Sequence, residues 1–371
     1  MLSADVEELG RRAADWLVAG HREDPENPTL YSGLAGVVLA LHEAHAYLRD
    51  DPYAAEVEAG ADALAGWVDR LEDCSLFFGL AGLAVTLHAV DRHPAAVARA
   101  RDRIRESFDG QRWGPMFELL SGNAGIGLAA LQIGDLDLAL LAVTPYLTAF
   151  DETECGVNWP VRPSPPRSHH VAHGTLGIVA ALARVGDATG RRDLIDLALS
   201  GAADVVGRNE HAPEGFLVPH SDPQHRPELI ERYSFGWCNG PAGDARVFRL
   251  LGRITGDVQW RDLEDACWHT IRSSGLPQRL RPGFWDNHGR CCGTAGVLAL
   301  ACDRLAERRD DGFAALLVEE LAAHAIEQDG GVCWSNHEHR ADPSDLPPEA
   351  GWAMGNAGIL PELLRYAAVL R

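Results

Sequence analysis

The stretch Trp237-Cys238-Asn239-Gly240-Pro241-Ala242-Gly243 places a cysteine two residues before a Gly-x-x-Gly step that opens a helical run. Further along, Cys291-Cys292-Gly293-Thr294-Ala295-Gly296 repeats this arrangement with two adjacent cysteines. In a third copy, His173-Gly174-Thr175-Leu176-Gly177, a histidine directly precedes the first glycine. Side chains that bind metals or move protons thus recur at nearly the same offset from one repeated step. We therefore expect them to share a site.

The Gly-x-x-Gly step is an internal repeat of the whole chain. A single copy would have little meaning, because a glycine is common near any helix start. Here the step recurs along the chain, each time followed by a helical run, and each interval has room for a second helix that leads back. The seven copies begin at Gly33, Gly79, Gly122, Gly174, Gly240, Gly293 and Gly355.

Two kinds of helix are predicted between these glycines. Most helices that follow the glycines are apolar on nearly all sides, such as residues 178–182 and 297–301, so they belong in an interior. The intervening helices, such as residues 5–19 and 193–206, have apolar residues at i, i+3 and i+4 and mix them with charges, which is typical of surface helices. We predict an all-α fold: an α/α toroid, or double-ringed barrel, of seven inner and seven outer helices. Because the repeats run almost to the C-terminus, residues 1–371 are predicted to form a single domain.

Composition and charge narrow the function. The 371-residue chain has a formal net charge of −21, which argues against nucleic acid or an anionic membrane as a partner. The N-terminus lacks the features of a signal peptide, and no apolar run approaches the length of a membrane span. We therefore expect a cytoplasmic protein without a membrane span.

The cysteines at the repeated step predict a zinc site. Eight cysteines in a large cytoplasmic chain do not indicate a disulfide framework, because thiols stay reduced in that compartment. Since equivalent offsets in a toroid project to equivalent places around one axis, Cys238, Cys291 and Cys292 are expected to come together. Thiolates select zinc among the abundant metals, and three protein ligands leave a fourth position open, as in catalytic sites. A substrate thiol in that position would become a nucleophile.

Two further residues at the same rim could move protons. His173 directly precedes Gly174, and a histidine takes up and releases protons near neutral pH. Addition of a thiol to an activated alkene needs a base for the thiol and an acid for the α-carbon. Glu118, which precedes Gly122 in the preceding repeat, could orient His173 or transfer a proton itself.

Other cysteines and histidines have simpler interpretations. Cys74, Cys155, Cys267, Cys302 and Cys333 are expected to be small core or loop residues. The roles of His169, His170 and His288 stay open, because these residues lie near the proposed site in the sequence. Proline-rich loops at residues 158–166, 218–223 and 342–348 lead toward the same rim and are candidate substrate-binding walls.

At this point the sequence resembles the lanthionine synthetase C-like family, the lanthipeptide cyclases. The resemblance rests on Ala172-His173-Gly174, Trp237-Cys238-Asn239-Gly240 and Cys291-Cys292-Gly293, together with the seven repeats, and covers nearly the whole chain. It implies zinc held by the three cysteines and an acid/base role for His173. The implied reaction is Michael-type addition of cysteine thiols to dehydroalanine or dehydrobutyrine in a dehydrated precursor peptide, giving (methyl)lanthionine thioether rings. The length suggests a free-standing cyclase, which could act with a partner dehydratase.

The chain departs from the family pattern at two positions. Cys292 stands where histidine is the more common third ligand, although relatives with three cysteines exist. Glu118 stands where the family often has aspartate, so the carboxylate is one methylene longer. The family usually has an arginine near the Trp-Cys pair, and Arg232 is the candidate for it in this chain.

Three alternatives to the cyclase remain open. A close one is an enzyme that adds glutathione or another small thiol to dehydroamino acids in proteins. A non-catalytic module that binds a leader peptide or a dehydratase would have no need of an open zinc coordination position. A glycosidase on the same toroid would need paired acidic residues at the rim, and Glu118 alone does not supply them.

Overall fold

The structure is a computed structural model that describes residues 3–19, 26–228, 230–278, 287–307, 309, 312–337 and 345–371. Residues 342–344 of the third proline-rich loop lie outside this part of the chain. The described residues form fourteen α-helices: α1 (Ser3–Val18), α2 (Leu34–Leu48), α3 (Asp51–Trp67), α4 (Leu80–Ala89), α5 (Pro94–Glu106), α6 (Asn123–Gln132), α7 (Leu136–Val143), α8 (Thr175–Thr189), α9 (Arg192–Val206), α10 (Pro241–Thr255), α11 (Gln259–Ser273), α12 (Thr294–Ala306), α13 (Phe313–Ala323) and α14 (Asn356–Val369).

Short strands occupy some of the connections between the helices. They form four antiparallel two-stranded pairs: β1 (Asp151–Glu152) with β2 (Val157–Asn158), β3 (Arg167–Ser168) with β4 (Ser221–Asp222), β5 (Ile326–Gln328) with β6 (Gly331–Cys333), and β7 (Asn336–His337) with β8 (Asp345–Leu346). The β3–β4 pair joins two loops that are distant in sequence, with Ser168 opposite Ser221. It therefore places the residues that follow β3 beside those that precede β4.

The predicted repeat is present at all seven positions. In six copies the first glycine is the residue that caps the helix, and α4 begins directly after Gly79. These capping glycines have extended backbone angles, so a left-handed conformation is not the reason for glycine. The prediction of seven equivalent helix starts is confirmed.

Close approach of the preceding loop explains the glycines. A Cβ atom at Gly240 would lie 2.3 Å from the carbonyl oxygen of Ser234, and one at Gly293 would lie 2.1 Å from that of Asn287. The second glycine of the step is equally crowded, since a Cβ at Gly358 would lie 2.0 Å from the carbonyl oxygen of Trp352. Each loop therefore folds back against the helix that it starts, and only glycine leaves room for it.

The chain divides into two compact units by its internal contacts. The first comprises Met1–Arg70, Thr86–Ala96 and Gly275–Arg371. Within it, α2 packs on α3 and α12 packs on α13, while α14 packs on α1, α2 and α12. Contacts between helices of the first and last repeats thus lie inside this unit.

The second unit comprises Leu71–Val85 and Val97–Ser274. Here α6 packs on α7, α8 on α9, and α10 on α11, and α8 also contacts α6 and α10. The packing rule is the same in both units: a helix that follows a glycine step contacts its returning partner and the next helix of its own kind. The prediction that residues 1–371 form a single domain stays a prediction.

Burial separates the two kinds of helix as the sequence predicts. In α12 every residue from Thr294 to Cys302 is buried, as expected for a helix surrounded by others. In α9 the buried residues recur every three or four positions, so one face packs inward and the other faces solvent. Among the described residues, none of the helices combines the length and the apolar character needed to cross a membrane.

Candidate metal and acid–base site

Equivalent positions of successive repeats are joined by backbone hydrogen bonds. The position two residues before the first glycine donates its N–H to the carbonyl oxygen of the same position in the next repeat. The bonds of this kind are Phe77 to Leu120 (3.2 Å), Ala172 to Cys238 (2.9 Å), Cys291 to Ala353 (2.8 Å) and Ala353 to Tyr31 (2.8 Å). The last bond links the seventh repeat to the first. These bonds align the residues that share this offset in neighbouring repeats.

Three of the cysteines at these offsets form one group. The sulfur atoms of Cys238, Cys291 and Cys292 lie within 4.8 Å of one another, and each residue is at most 2% exposed. Three buried thiols at such distances are a ligand set that suits a soft or borderline cation. The structure thus brings together the three residues that were predicted to be ligands.

The surroundings of Cys291 include a hydroxyl group that the sequence analysis did not single out. The Tyr31 hydroxyl donates a hydrogen bond to the Cys291 sulfur at 3.8 Å. Such a bond stabilises a thiolate and helps to fix the position of a ligand. Tyr31 occupies in the first repeat the same offset that Cys238 and Cys291 occupy in theirs, so the repeat itself was a signal that could have identified it.

The other five cysteines lie elsewhere. All eight cysteines belong to the described part of the chain, and none of them forms a disulfide. Cys74, Cys267, Cys302 and Cys333 are buried, and Cys155 is exposed. Burial raises the pKa of Cys267 well above its usual range and that of Cys333 to about 11, so both are inert neutral thiols. These positions fit the expectation of core and loop residues.

His173 and Glu118 are neighbours. The Nδ1 atom of His173 lies 3.7 Å from Oε2 of Glu118, just beyond hydrogen-bond distance, and has no hydrogen-bond partner among the described residues. The His173 side chain is 38% exposed, whereas Glu118 is fully buried. The carboxylate accepts hydrogen bonds from the backbone N–H groups of Leu120 and Ser121. A fixed carboxylate therefore stands behind an imidazole that is open to solvent.

Arg232 is engaged at the surface. Its guanidinium group pairs with Glu210 and donates a hydrogen bond to the Tyr233 hydroxyl at 2.9 Å, and its side chain is 49% exposed. Its backbone carbonyl accepts the N–H of His220 at 2.9 Å. The side chain of Arg232 thus contacts Glu210 and Tyr233, and its backbone is bonded to the loop that contains His220.

Two residues of the proline-rich loops lie near the acid–base pair. Burial lowers the pKa of Arg162, while the charge of Glu118 raises it. Burial also lowers the pKa of His220 to about 3, and the charges of His170, His173 and Arg162 act in the same direction. The loops were predicted from the sequence to lead to the rim, but neither Arg162 nor His220 was among the predicted site residues. The charged side chain of Arg162 and the polar side chain of His220, both in these loops, were the signal that could have identified them.

His169 and His170 are core residues of this region. Nδ1 of His170 lies 2.8 Å from Oδ2 of Asp244 in α10, and its Nε2 donates to the carbonyl oxygen of Val218 at 3.1 Å. Burial raises the pKa of Asp244, although His170 opposes this shift. Burial lowers the pKa of His169 to about 3, which keeps this fully buried ring neutral. His170 therefore ties the loop before α8 to α10 and to the loop at Val218.

Comparisons with known proteins give the following likenesses. A family model described as lanthionine synthetase C-like protein matches residues 24–368. No curated protein matches the chain. Among solved structures, nisin cyclase is 17% identical with a TM-score of 0.69, covering 97% of both chains. The Lin0763 protein from Listeria innocua is 11% identical with a TM-score of 0.56, covering 98% of this chain and 97% of that one.

A carbohydrate-active enzyme has the same fold. An unsaturated glucuronyl hydrolase specific for heparin is 11% identical with a TM-score of 0.55, covering 98% of this chain and 97% of that one. At such identities a likeness shows the fold alone. The matches and the helix pairs together confirm the predicted all-α class, an α/α toroid. Since the same fold serves different chemistries, the function has to be argued from the site residues.

Proposed function

The chain belongs to the lanthionine synthetase C-like family, and we propose that it is a zinc-dependent cyclase that forms thioether rings. Its substrate is a precursor peptide that carries cysteines together with dehydroalanine or dehydrobutyrine. The reaction is the intramolecular Michael-type addition of a cysteine thiol to the dehydroamino acid. The observation that carries the proposal is the group of three buried thiols at Cys238, Cys291 and Cys292.

The donor set fits zinc. Cysteine thiolates are preferred ligands of zinc, and three protein ligands are the usual number in its catalytic sites. Burial of the three residues limits access of water to their sulfur atoms, and the Tyr31 hydroxyl donates to one of them. When bound, zinc would supply a positive charge that keeps a coordinated substrate thiol deprotonated and nucleophilic.

His173 would carry the proton that the addition moves. A carbon–sulfur bond forms at the β-carbon of the dehydroamino acid as the π bond breaks, and the electron pair passes to the α-carbon as an enolate. The proton lost from the thiol must be accepted, and one must be returned to the α-carbon, so the reaction has no net proton change. His173 suits both steps because its ring is partly open to solvent while its Nδ1 faces a carboxylate.

Glu118 would orient His173. The two N–H groups of Leu120 and Ser121 hold its carboxylate in place, and an approach by about half an ångström would bring Nδ1 within hydrogen-bond distance of it. In that arrangement Nδ1 carries the proton and Nε2 exchanges protons with the substrate. The extra methylene of glutamate relative to aspartate gives the same carboxylate a longer reach.

Arg232 is the third proposed catalytic residue, and the structure supports it less than Glu118. A guanidinium group could stabilise the enolate that forms at the α-carbon. To do so, Arg232 would have to exchange its pairing with Glu210 and Tyr233 for the substrate.

We infer that the protein works in the cytoplasm on a dehydrated precursor peptide supplied by a dehydratase. Its net charge of −21 favours a basic segment in that peptide.

A pair of synthetic peptides tests the proposal. One carries a dehydroalanine and a cysteine a few residues apart; the other has alanine in place of the cysteine and is offered with free glutathione. With the zinc-loaded protein, we expect the first peptide to lose its alkylatable thiol at unchanged mass, faster than it does without protein. If the protein accelerates only the addition of glutathione to the second peptide, its reaction is intermolecular thiol addition and not cyclisation. No acceleration of either reaction would overturn the proposal.

A further inference from the structure

A second group of potential metal ligands lies outside the group of three thiols. His288 precedes the Cys291–Cys292 pair in the loop that leads to α12, while Glu320 and His324 lie at the end of α13. One potential ligand atom from each of the three residues lies within 4.8 Å of the other two. The two imidazole rings have their centroids 5.0 Å apart with an interplanar angle of 35°.

Both histidines are held in a form suited to metal binding. Nδ1 of His288 lies 3.0 Å from the carbonyl oxygen of Ser335, and Nδ1 of His324 lies 3.0 Å from that of Glu320. A carbonyl oxygen only accepts, so Nδ1 carries the proton in each ring and the lone pair of the neutral ring is on Nε2. A histidine that ligates a metal typically donates its other ring N–H to such an oxygen.

We propose that His288, Glu320 and His324 form a second divalent metal site, selective for a borderline cation such as Zn²⁺. Two imidazoles and a carboxylate suit zinc, and this set resembles the two-histidine, one-glutamate ligation of many zinc sites. Zinc–ligand bonds of about 2.0–2.2 Å bring tetrahedral ligand atoms within about 3.5 Å of one another. One ligand atom of each residue lies within 4.8 Å of the other two. Because the Glu320 carboxylate faces Nδ1 of His324 at 3.3 Å, the Glu320 side chain would have to turn toward Nε2 to complete the site.

An ordinary ion pair accounts for only part of this arrangement. Nδ1 of His324 is 3.3 Å from Oε1 of Glu320, one helical turn earlier, and such pairs are common on helices. The pair does not explain the second imidazole, which comes from a different segment and lies beside the first at a tilt of 35°. Two protonated rings so close together would repel each other, whereas a shared cation would hold both in their neutral form.

The position of this site gives it a structural consequence. His288 lies on the loop that carries Cys291 and Cys292, and the N–H of His288 is already bonded to Oδ1 of Asn336 at 3.3 Å. A metal shared with Glu320 and His324 would tie that loop to α13. It would therefore hold the loop that presents two of the thiols, without contacting the substrate.

Zinc counting tests this inference. The full-length protein and its Glu320→Gln and His324→Ala variants are dialysed to equilibrium against buffered Zn²⁺, and bound zinc is measured by mass spectrometry. We expect each variant to bind one equivalent of zinc fewer than the unsubstituted protein. The matched control is His93→Ala, because His93 forms an exposed pair with Asp62 at 2.7 Å but has no place in the group. Its zinc content should be unchanged.

Cobalt spectroscopy separates this site from the group of thiols. Sulfur-to-cobalt charge-transfer bands report Cys238, Cys291 and Cys292, and they should be the same in His324→Ala as in the unsubstituted protein. Equal zinc content in all four proteins would overturn the second site even if those bands are present. If no protein shows these bands but His324→Ala still binds one equivalent of zinc fewer, the thiols do not bind the metal and the second site is supported.

Discussion

The Oε2 atom of Glu118 lies 3.7 Å from Nδ1 of His173, and the two residues come from successive repeats. The carboxylate is fully buried and held by two backbone N–H groups, whereas the imidazole is partly exposed. In such an arrangement the fixed carboxylate favours the tautomer with the proton on Nδ1, and Nε2 on the exposed side of the ring can exchange protons with a substrate. The proposed mechanism depends on this relationship.

Glu118→Gln should slow cyclisation while leaving the metal in place. Glutamine keeps the size of the side chain and an oxygen that accepts from Leu120 or Ser121, but it removes the charge behind His173. We expect a rate loss of about 10- to 100-fold, in the lower range of general acid–base effects. Thiol disappearance in the cysteine–dehydroalanine peptide measures it. Glu327→Gln is the control, since Glu327 is 78% exposed and pairs with Arg12; equal rates in both variants would contradict the role of Glu118.

Arg232→Ala is expected to lower the rate of the same reaction less than Glu118→Gln does. The Arg232 side chain is half exposed and already engaged by Glu210 and Tyr233, so solvent and these partners weaken its action on a substrate. The two variants are compared at the same peptide and zinc concentrations. A larger loss for Arg232→Ala would show that the arginine leaves its surface partners when the peptide binds.

Cys292→Ala should abolish metal binding at the group of thiols and reduce cyclisation to the rate of the peptide alone. Two remaining thiols are fewer than the three protein ligands that catalytic zinc sites use. Zinc content and thiol disappearance are measured together. Cys302→Ala is the matched control, because Cys302 is fully buried in α12, the helix that follows Cys292, and lies outside the group of thiols. Cyclisation retained by Cys292→Ala would refute the mechanism.

Two glycine substitutions in helices should act in opposite directions. A Cβ at Gly358 would lie 2.0 Å from the carbonyl oxygen of Trp352, so Gly358→Ala forces the backbone to shift and should cost about 1–3 kcal/mol of unfolding free energy. A Cβ at Gly66, near the end of α3, meets no atom within 4 Å. Gly66→Ala should therefore stabilise the protein by up to about 1 kcal/mol. Urea unfolding measures both, and stabilisation by Gly358→Ala would contradict the close approach.

Features that recur with the repeat were predictable from the sequence. The helix starts at Gly33, Gly240 and Gly355 were predictable because each glycine is required by a contact with its own preceding loop. The grouping of Cys238 with Cys291 and Cys292 followed from their shared offset. Both kinds of information are local or periodic, so one sequence suffices to detect them.

Features outside the repeat were not predictable in this way. His220 and Arg162 lie in loops whose path is set by the pairing of β3 with β4, and no period connects those segments. Similarly, Glu320 and His324 form a visible i, i+4 pair, but their neighbour His288 comes from a different segment. Tyr31 falls between these cases, since its offset was in the repeat while its hydroxyl bond to Cys291 depends on packing.

Buried neutral histidines should make the protein less stable in acid. Burial lowers the pKa of His220 to about 3, and the nearby His169, His170, His173 and Arg162 disfavour its protonation as well. In the unfolded chain its pKa is about 6.5, so between roughly pH 6.5 and 3 the unfolded state binds the extra proton. The free energy of unfolding therefore falls as the pH decreases through this window, by up to about 1.4 kcal/mol per pH unit for this residue.

His169, whose pKa is also about 3, should add a similar dependence. The test is the variant His220→Gln, which removes the titrating ring but keeps a polar side chain. Urea unfolding of both proteins between pH 4 and 7 gives the slope of unfolding free energy against pH, and this slope counts the protons taken up on unfolding. Near pH 5 the variant should take up about one proton fewer on unfolding than the unsubstituted protein. The proton uptake due to His169 should remain. An unchanged slope would mean that His220 is already protonated in the folded protein.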